Sequence, residues 1–207
     1  MTSVRPILIA ALAALASAGC ALYPGTARPA TLEDLREDEG WILLDSVPMV
    51  RQVSQKGCGA ACLAMVLGHW GFESGAEELE AECAGPGTEG IRATALRDAA
   101  RRRGLSAYLF SGTVADLEHE LARGRPVLVG LAKANGDEFT AHFEVVVGLH
   151  PGRERIAALD PAVGLMRDSL AGFRSEWMAT KGVMLVVFLP EAVAAPAVQL
   201  VSTGGGR

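Results

Sequence analysis

The strongest constraint on the fold is the order in which helical and strand-like segments follow one another. Segments of helical composition come first, at residues 58–70, 76–83, 94–103 and 114–123. Segments rich in branched residues dominate the second half, at 107–110, 126–131, 139–149, 155–159 and 183–189. A Pro-Gly pair at 151–152 lies between two of these strands and indicates a hairpin turn. This order predicts an α+β fold, in which N-terminal helices pack on a mostly antiparallel sheet.

The amino-acid composition excludes several classes of protein. The chain has 207 residues, enough for one domain with appendages or for two very small domains. Half of the residues are apolar and only 21% are charged, so the chain can form a packed core and is not of the disordered type. The net charge of −5 disfavours binding to phosphate backbones, and we expect no nucleic acid partner.

The N-terminus predicts export and attachment to a lipid. Arg5 precedes an uncharged run at 7–18, which is shorter than the roughly 20 residues that a membrane-spanning helix needs. Small residues then lead to Cys20, and the stretch resembles a bacterial lipoprotein signal, although Ser17 stands where such signals usually have leucine. With Ala21 next, the resemblance implies an outer-membrane lipoprotein that faces the periplasm and is anchored through Cys20. The alternative is an ordinary cleaved signal and a soluble secreted or periplasmic protein.

Local composition divides the chain into four segments. We predict a signal peptide at 1–19, a tether at 20–43, a folded domain at 44–190 and a disordered tail at 191–207. The tether assignment rests on its prolines and its acidic stretch. The tail assignment rests on its Ala/Pro content and its final glycines, which lack the apolar periodicity needed for packing.

Cys58 has the surroundings of a catalytic nucleophile. Gly57 and Gly59 flank it and a predicted helix begins there, so its thiol lies at a helix N-terminus. Exposed N–H groups and the helix dipole stabilise negative charge at that position. The thiolate is the attacking species in cysteine catalysis, and flanking glycines allow a substrate to approach closely.

His142 is the candidate general base. The other histidines have structural explanations at a helix end, a solvated helix face and a turn, namely His69, His119 and His150. His142 lies inside a predicted strand, and the strand period of two turns it away from the apolar stripe on that strand. That stripe consists of Phe139, Ala141, Phe143, Val145 and Val147.

Two further residues would complete a catalytic site. Asp160 ends the next strand, and the hairpin makes it a near cross-strand neighbour of His142, where it could fix the ring orientation. A register slip of one residue would instead separate the two, and Asp-Pro is also a common turn initiator. Gln52 lies six residues before Cys58 and could place its amide beside the Cys58 N–H as an oxyanion donor. Gln55 is the alternative donor, but it lies only three residues before Cys58, so the loop that would return its amide to the Cys58 N–H is shorter.

These residues give the chain a resemblance to the bacteriocin-processing cysteine peptidase family, whose papain-like domains cleave leader peptides after a double glycine. The resemblance covers residues 44–190 and rests on the segments 47–67, 142–148 and 159–161. It implies a papain-like fold, no cofactor, and four roles: nucleophile, base, orienting acid and oxyanion donor for Cys58, His142, Asp160 and Gln52. The chain departs from the family at Gly57, where Asp or Asn is usual.

The resulting expectation is a cysteine endopeptidase that hydrolyses peptide bonds without ATP. Its substrate would be a peptide, with a double-glycine leader as the class that the resemblance implies. Well-known members of the family are fused to a transporter that delivers the substrate, so a peptide exporter is a candidate partner. Two alternatives use the same residues differently: a periplasmic cell-wall amidase or endopeptidase, and a catalytically silent module that binds leader peptides.

The remaining cysteines leave two alternatives open. Cys62 and Cys83 could form a disulfide between the first two core helices, because the expected compartment is oxidising. Alternatively, Cys62 is simply a small buried residue. No spacing of His and Cys matches a zinc site, so we predict no metal.

Overall fold

A computed structural model describes residues 25–85, 90–135 and 138–190. Its helices are α1 Leu32–Glu37, α2 Cys58–His69, α3 Ala76–Cys83, α4 Ala93–Arg102, α5 Val114–Ala122 and α6 Leu170–Ala179. Its strands are β1 Arg28–Pro29, β2 Ile42–Leu43, β3 Ser106–Ser111, β4 Val127–Asn135, β5 Glu138–His150, β6 Arg155–Asp160, β7 Gly164–Ser169 and β8 Val183–Phe188.

The strands form one antiparallel sheet. Their order is β1-β7-β6-β5-β4-β8-β3, and β2 pairs with β5 beside this path. The four predicted helices are confirmed as α2 to α5, and the five predicted strands as β3, β4, β5, β6 and β8. The predicted α+β class, with early helices packed on an antiparallel sheet, is therefore confirmed.

Helices cover both faces of the sheet. One apolar cluster joins the sheet to α2, α3 and α4, and it includes Val145 and Val147 of β5. A second cluster joins the opposite face to α5 and α6, and it includes Val146. The expected apolar stripe on β5 therefore packs against the core only from Phe143 onward, because Phe139 and Ala141 are exposed. The other face of β5 is also buried in the C-terminal half of the strand, by α5 and α6.

Residues 25–43 belong to the folded body, so the tether prediction is wrong for this part. β1 pairs with β7, β2 pairs with β5, and Leu35 of α1 is fully buried in the core. The helix α1 begins at a capping box in which Thr31 and Asp34 exchange side-chain and backbone hydrogen bonds. The tether prediction gave weight to the prolines and acidic residues and overlooked this capping box. Residues 20–24 lie outside the described part of the chain.

β7 and α6 were not predicted from the sequence. β7 is short and contains charged residues, and α6 contains Gly172, a weak helix former. Ser169 caps α6 by accepting a hydrogen bond from the Gly172 N–H at 3.0 Å. A Cβ at position 172 would clash with Thr26 Oγ1, so the glycine allows the N-terminal segment to pack against α6.

None of the helices within the described ranges has the length and apolar character needed to cross a membrane. The predicted signal, Cys20 and the predicted tail at 191–207 lie outside those ranges.

Candidate active site

Cys58 is the first residue of α2, as the sequence predicted. Gly57 precedes the helix as its N-cap and donates its N–H to the Ser54 carbonyl at 3.2 Å. Among the described residues no side chain caps this end of α2, so its first N–H groups remain available near the thiol. The helix therefore offers partial positive charge to a thiolate at position 58.

The glycine at position 57 leaves space for a side chain from α3. A Cβ at position 57 would clash with Glu80 Oε2. The other oxygen of that carboxylate, Oε1, accepts a hydrogen bond from Ser54 Oγ at 2.5 Å and so holds the loop before Cys58. The absence of a side chain at position 57 thus gives Glu80 the space to reach Ser54.

Gly59 lies in a tighter environment on the other side of Cys58. A Cβ at this position would lie 3.1 Å from Leu96 Cδ1 and 3.1 Å from Phe143 Cδ2. Both neighbours belong to the core around α2. Gly59 therefore lets α2, α4 and β5 pack closely at the point where Cys58 is presented.

His142 and Asp160 are in direct contact. His142 Nε2 lies 3.0 Å from Asp160 Oδ1, and the same oxygen accepts the Ala162 N–H at 2.7 Å. Asp160 therefore starts a turn and binds the imidazole as well, so the two interpretations that the sequence left open describe one residue. The side chains of His142 and Asp160 are 14% and 3% exposed, so water screens their interaction weakly.

The pairing of β5 with β6 places the position opposite Asp160 two residues beyond His142 instead of at His142 itself. Val145 lies opposite Leu159, and continuing this register places Glu144 opposite Asp160. A turn of 3₁₀-helix at Pro151–Arg153 and an irregularity between Val146 and Gly148 produce the difference. Because a shift of two residues keeps every side chain on its face, His142 remains beside Asp160 as a diagonal neighbour.

The Cys58 thiol is the second partner of the His142 imidazole, besides Asp160. Since Nε2 faces Asp160, Nδ1 is the ring nitrogen left for the hydrogen bond between His142 and Cys58. Burial lowers the pKa of His142, but the hydrogen bonds and charges of Asp160 and Cys58 outweigh burial and raise that pKa to about 10. Burial raises the pKa of Asp160, but the His142 imidazolium, the Ala162 N–H and Lys133 together bring it below its usual range. The site thus favours an imidazolium beside a carboxylate.

The backbone of Gln52 is hydrogen-bonded to the residue that follows Asp160. Its N–H donates to the Pro161 carbonyl at 3.1 Å, which ties it to the residue after Asp160. Its side-chain Nε2 donates to the Ser54 carbonyl at 2.9 Å, in the loop that leads to Cys58. An amide nitrogen carries two N–H groups, so one remains for a further acceptor.

Cys62 and Cys83 are free, so the candidate disulfide is not formed. Cys62 Sγ donates to the Phe143 carbonyl at 3.2 Å, and Cys83 Sγ lies 3.8 Å from the Ala95 carbonyl. The two thiols therefore point to different elements, Cys62 to β5 and Cys83 to α4. Both are small buried residues, which is the alternative to the disulfide. Burial and the nearby charge of Cys58 raise the pKa of the Cys62 thiol well above its ordinary value.

A buried charged cluster that the sequence analysis missed lies behind the His142–Asp160 pair. The Lys133 Nζ lies 2.7 Å from Glu144 Oε1 and 2.8 Å from Glu176 Oε2. The available signal was a charged residue at 144, inside an apolar strand and two positions from His142. Lys133 was outside the predicted strand, which ended at residue 131 because the apolar run ends there.

One group of side chains within the described ranges has the spacing of metal ligands. A ring nitrogen of His142 and carboxylate oxygens of Glu144 and Asp160 all lie within 4.8 Å of one another. Their atoms have internal partners, because Lys133 binds Glu144 while Asp160 binds His142 and the Ala162 N–H. An ammonium beside the carboxylates disfavours a second cation, so these residues do not fit a metal site.

The comparison with protein families decides the class of the protein. The sequence profile of the Peptidase C39 family matches residues 46–190. The chain is a member of the Peptidase C39 family. It is accordingly a cysteine peptidase, and its resemblance to double-glycine peptidases is confirmed.

A curated relative of this C39 peptidase is a larger protein. The chain is 28% identical over 156 residues to the Lactococcin-G-processing and transport ATP-binding protein LagD of Lactococcus lactis subsp. lactis. The match covers 75% of this chain and 20% of LagD, so the chain spans about a fifth of that relative.

Solved structures support the fold of this C39 peptidase. The peptidase domain of Streptococcus ComA, a bifunctional ABC transporter of a quorum-sensing pathway, has a TM-score of 0.58 and 23% identity, with 70% of this chain and 99% of that one covered. A double glycine motif protease from an AMS/PCAT transporter, in complex with the leader peptide, has a TM-score of 0.55 and 26% identity, covering 69% and 91%. A C39-like peptidase from Bacillus anthracis has a TM-score of 0.58 and 16% identity, covering 74% and 99%. The fold is therefore that of papain-like C39 peptidase domains.

Proposed function

We propose that this C39 peptidase is an endopeptidase in which Cys58 is the nucleophile, His142 the general base and acid, and Asp160 the acid that orients the imidazole. The observation that carries the proposal is that His142 interacts with the Cys58 thiol and also lies 3.0 Å from Asp160 Oδ1. Cysteine peptidases need this arrangement, because an imidazole must exchange a proton with both the thiol and the leaving amine.

The reaction would begin with attack of the Cys58 thiolate on a peptide carbonyl carbon. The carbonyl π electrons move to oxygen, and the tetrahedral oxyanion then expels the amine as the C–N bond breaks. The His142 imidazolium donates its proton to that amine, and the acyl group stays on Cys58 as a thioester. Water, deprotonated by the now neutral His142, attacks the thioester carbonyl, and the C–S bond breaks. A carboxylic acid leaves, and the Cys58 thiolate and the His142 imidazolium are regenerated.

Gln52 is the proposed side-chain donor to the oxyanion. Its Nε2 keeps one N–H after donating to Ser54, and the Cys58 N–H at the start of α2 supplies a second donor. Removing one such donor in an enzyme reduces kcat by about 10²–10³. We therefore expect Gln52→Ala to lower kcat by about that factor with little change in the amount of folded protein.

The proposed substrate class is a leader peptide with a double glycine. LagD is described as processing lactococcin G, and the AMS/PCAT protease is described as a double glycine motif protease bound to a leader peptide. A peptide exporter is the proposed partner, because the description of LagD combines processing with transport.

The test uses the purified chain and synthetic leader peptides that differ only at the two glycines. We expect cleavage after Gly-Gly by the wild type, a loss of cleavage when both glycines become alanine, and background activity for Cys58→Ala. Equal cleavage by wild type and Cys58→Ala would overturn the proposal. Fragments released from isolated peptidoglycan, with no cleavage of peptides, would instead identify a cell-wall enzyme, and binding of the leader without any cleavage would identify a binding module.

We also propose that Cys20 carries a lipid that anchors the protein to the outer membrane on its periplasmic side. The proposal rests on the short apolar run and the small residues before Cys20 in the sequence. Labelled palmitate should be incorporated into the wild type and be absent from Cys20→Ala. Equal labelling of the two, or no labelling of either, would contradict it.

A further inference from the structure

The most unusual feature outside the proposed catalytic residues is the buried cluster of Lys133, Glu144 and Glu176. Their side chains are 2%, 3% and 7% exposed. Burying charges is unfavourable, and apolar side chains of similar volume often stabilise a core at least as well. Stability alone therefore does not explain why three charges occupy this place.

One member of the cluster, Glu144, lies next to the proposed catalytic residues. Glu144 lies opposite Asp160 in the β5–β6 register, and its carboxylate oxygen lies within 4.8 Å of His142 and Asp160. Glu176 lies on α6 at the other side of Lys133, and it also accepts the Thr26 N–H at 2.9 Å. The two glutamates therefore share Lys133, but only Glu144 faces the His142–Asp160 pair.

Two carboxylates that lie side by side in a buried site disfavour each other's charge. Lys133 offsets that repulsion, since its ammonium lies against Glu144 and also lowers the pKa of Asp160. Burial and the charge of Asp160 raise the pKa of Glu144 above its usual value, although Lys133 and His142 act in the opposite direction. The ion pair with Lys133 at 2.7 Å is therefore the contact that favours a negative charge on Glu144 beside His142.

We infer that Glu144, held ionised by Lys133, is a positioning residue that stabilises the His142 imidazolium from the side next to Asp160. This inference rests on the proposed function, because it assigns Glu144 a role through His142. Glu144 itself does not contact Cys58 or a substrate in this role.

Other charged and titratable groups also face this region. They are Cys58 and Cys62 on α2, Lys133 on β4, Asp160 on β6, Asp168 on β7 and Glu176 on α6.

The experiment compares Glu144→Gln with the matched variant Glu176→Gln. Each variant removes one ion pair of Lys133 and leaves the other, so neither leaves the ammonium alone. The protonation of the His142 ring is followed by NMR in the full chain labelled with ¹⁵N-histidine, and kcat and KM are measured on the leader peptide. The His142 signal is assigned by its disappearance in His142→Gln.

We expect Glu144→Gln to move the titration of His142 to lower pH by at least about one unit, because a charge within 4.8 Å at an effective dielectric constant near 20 has that effect. The alkaline limit of activity should move with it, and kcat should fall while KM is unchanged. Glu176→Gln should leave the titration at its wild-type position. Glu144→Ala, whose cavity can admit water, is a second neutral variant and should shift the titration in the same direction.

Equal titrations in Glu144→Gln, Glu176→Gln and the wild type would overturn the inference, as would equal shifts in both variants. Thermal unfolding of each variant separates a loss of fold from a loss of charge. A wild type that does not cleave the peptide overturns the proposed function itself, whereas an active wild type with an unshifted Glu144→Gln overturns only the role of Glu144.

Discussion

Replacing Asp160 by asparagine should release His142 from its main electrostatic partner. The side chain keeps its size, so the change removes mostly the negative charge 3.0 Å from Nε2. The imidazolium then loses stabilisation, and the pKa of His142 must fall. The direction is opposite to the effect expected from reducing burial, which would raise that pKa.

The size of the fall follows from the contributions to the pKa. The pKa of His142 rises from 6.5 to about 10 although burial lowers it, so Asp160 and Cys58 together contribute more than this difference. The contribution of Asp160 is the larger of the two. Asp160→Asn should therefore lower the pKa by about two units or more, which is about 3 kcal/mol at 1.36 kcal/mol per unit.

The assay is the NMR titration of the His142 ring, with Cys58→Ala as the matched variant. We expect His142 to titrate near pH 10 in the wild type, at an intermediate pH in Cys58→Ala, and about two units below the wild type in Asp160→Asn. The alkaline limit of peptide cleavage by Asp160→Asn should shift in the same direction. A titration of Asp160→Asn like that of the wild type, or a larger effect of Cys58→Ala, would refute the role of Asp160 as the main partner of His142.

Three further predictions concern stability and thiol reactivity. Gly59→Ala should lower the free energy of unfolding by about 1–3 kcal/mol in urea titrations, because the new methyl group would lie 3.1 Å from the Phe143 ring. Leu35→Ala should lower it by about 2–5 kcal/mol, because α1 packs Leu35 into the core. Iodoacetamide at neutral pH should label Cys58 and leave the buried Cys62 unlabelled, as read by mass spectrometry of the peptides.

Each of these predictions has a control within the same chain. Glu33→Ala, on the exposed side of α1, should leave the stability within about 0.5 kcal/mol, and an equal loss for Leu35→Ala and Glu33→Ala would contradict the packing of α1. At Gly71 a Cβ would meet nothing within 4 Å, but φ is positive, so Gly71→Ala measures backbone strain without crowding. Comparison with this variant isolates the crowding expected in Gly59→Ala. Labelling of Cys62 as fast as Cys58 would contradict the burial of its thiol.

The sequence contained the local features of the site. Cys58 between two glycines, at the start of an apolar helix, needs only neighbouring residues to be interpreted, and the helix begins there. His142 inside a strand and Asp160 at the end of the next strand required only the correct face, which the two-residue difference in register preserved. Fold class followed from the order of helical and strand segments.

Long-range packing determined what the sequence did not reveal. The position of Glu144 opposite Asp160 depends on the length of the turn at Pro151–Arg153 and on the strand irregularity. The Pro-Gly pair indicates the turn but not its length, and the irregularity has no residue signature of its own. The pairing of Lys133 with Glu176 joins β4 to α6, two elements far apart in the chain. Burial of α1 also depends on the surface against which it packs, so prolines and acidic residues nearby misled the prediction.

The most direct test of the central chemistry is detection of the acyl group on Cys58. The wild type is mixed with a double-glycine leader peptide, quenched in acid within milliseconds to seconds, and analysed by mass spectrometry. We expect a transient thioester between the Cys58 sulfur and the fragment that ends at the second glycine, and no such adduct in Cys58→Ala. Cleavage of the peptide with no adduct at any time, or with an adduct on another residue, would contradict the account.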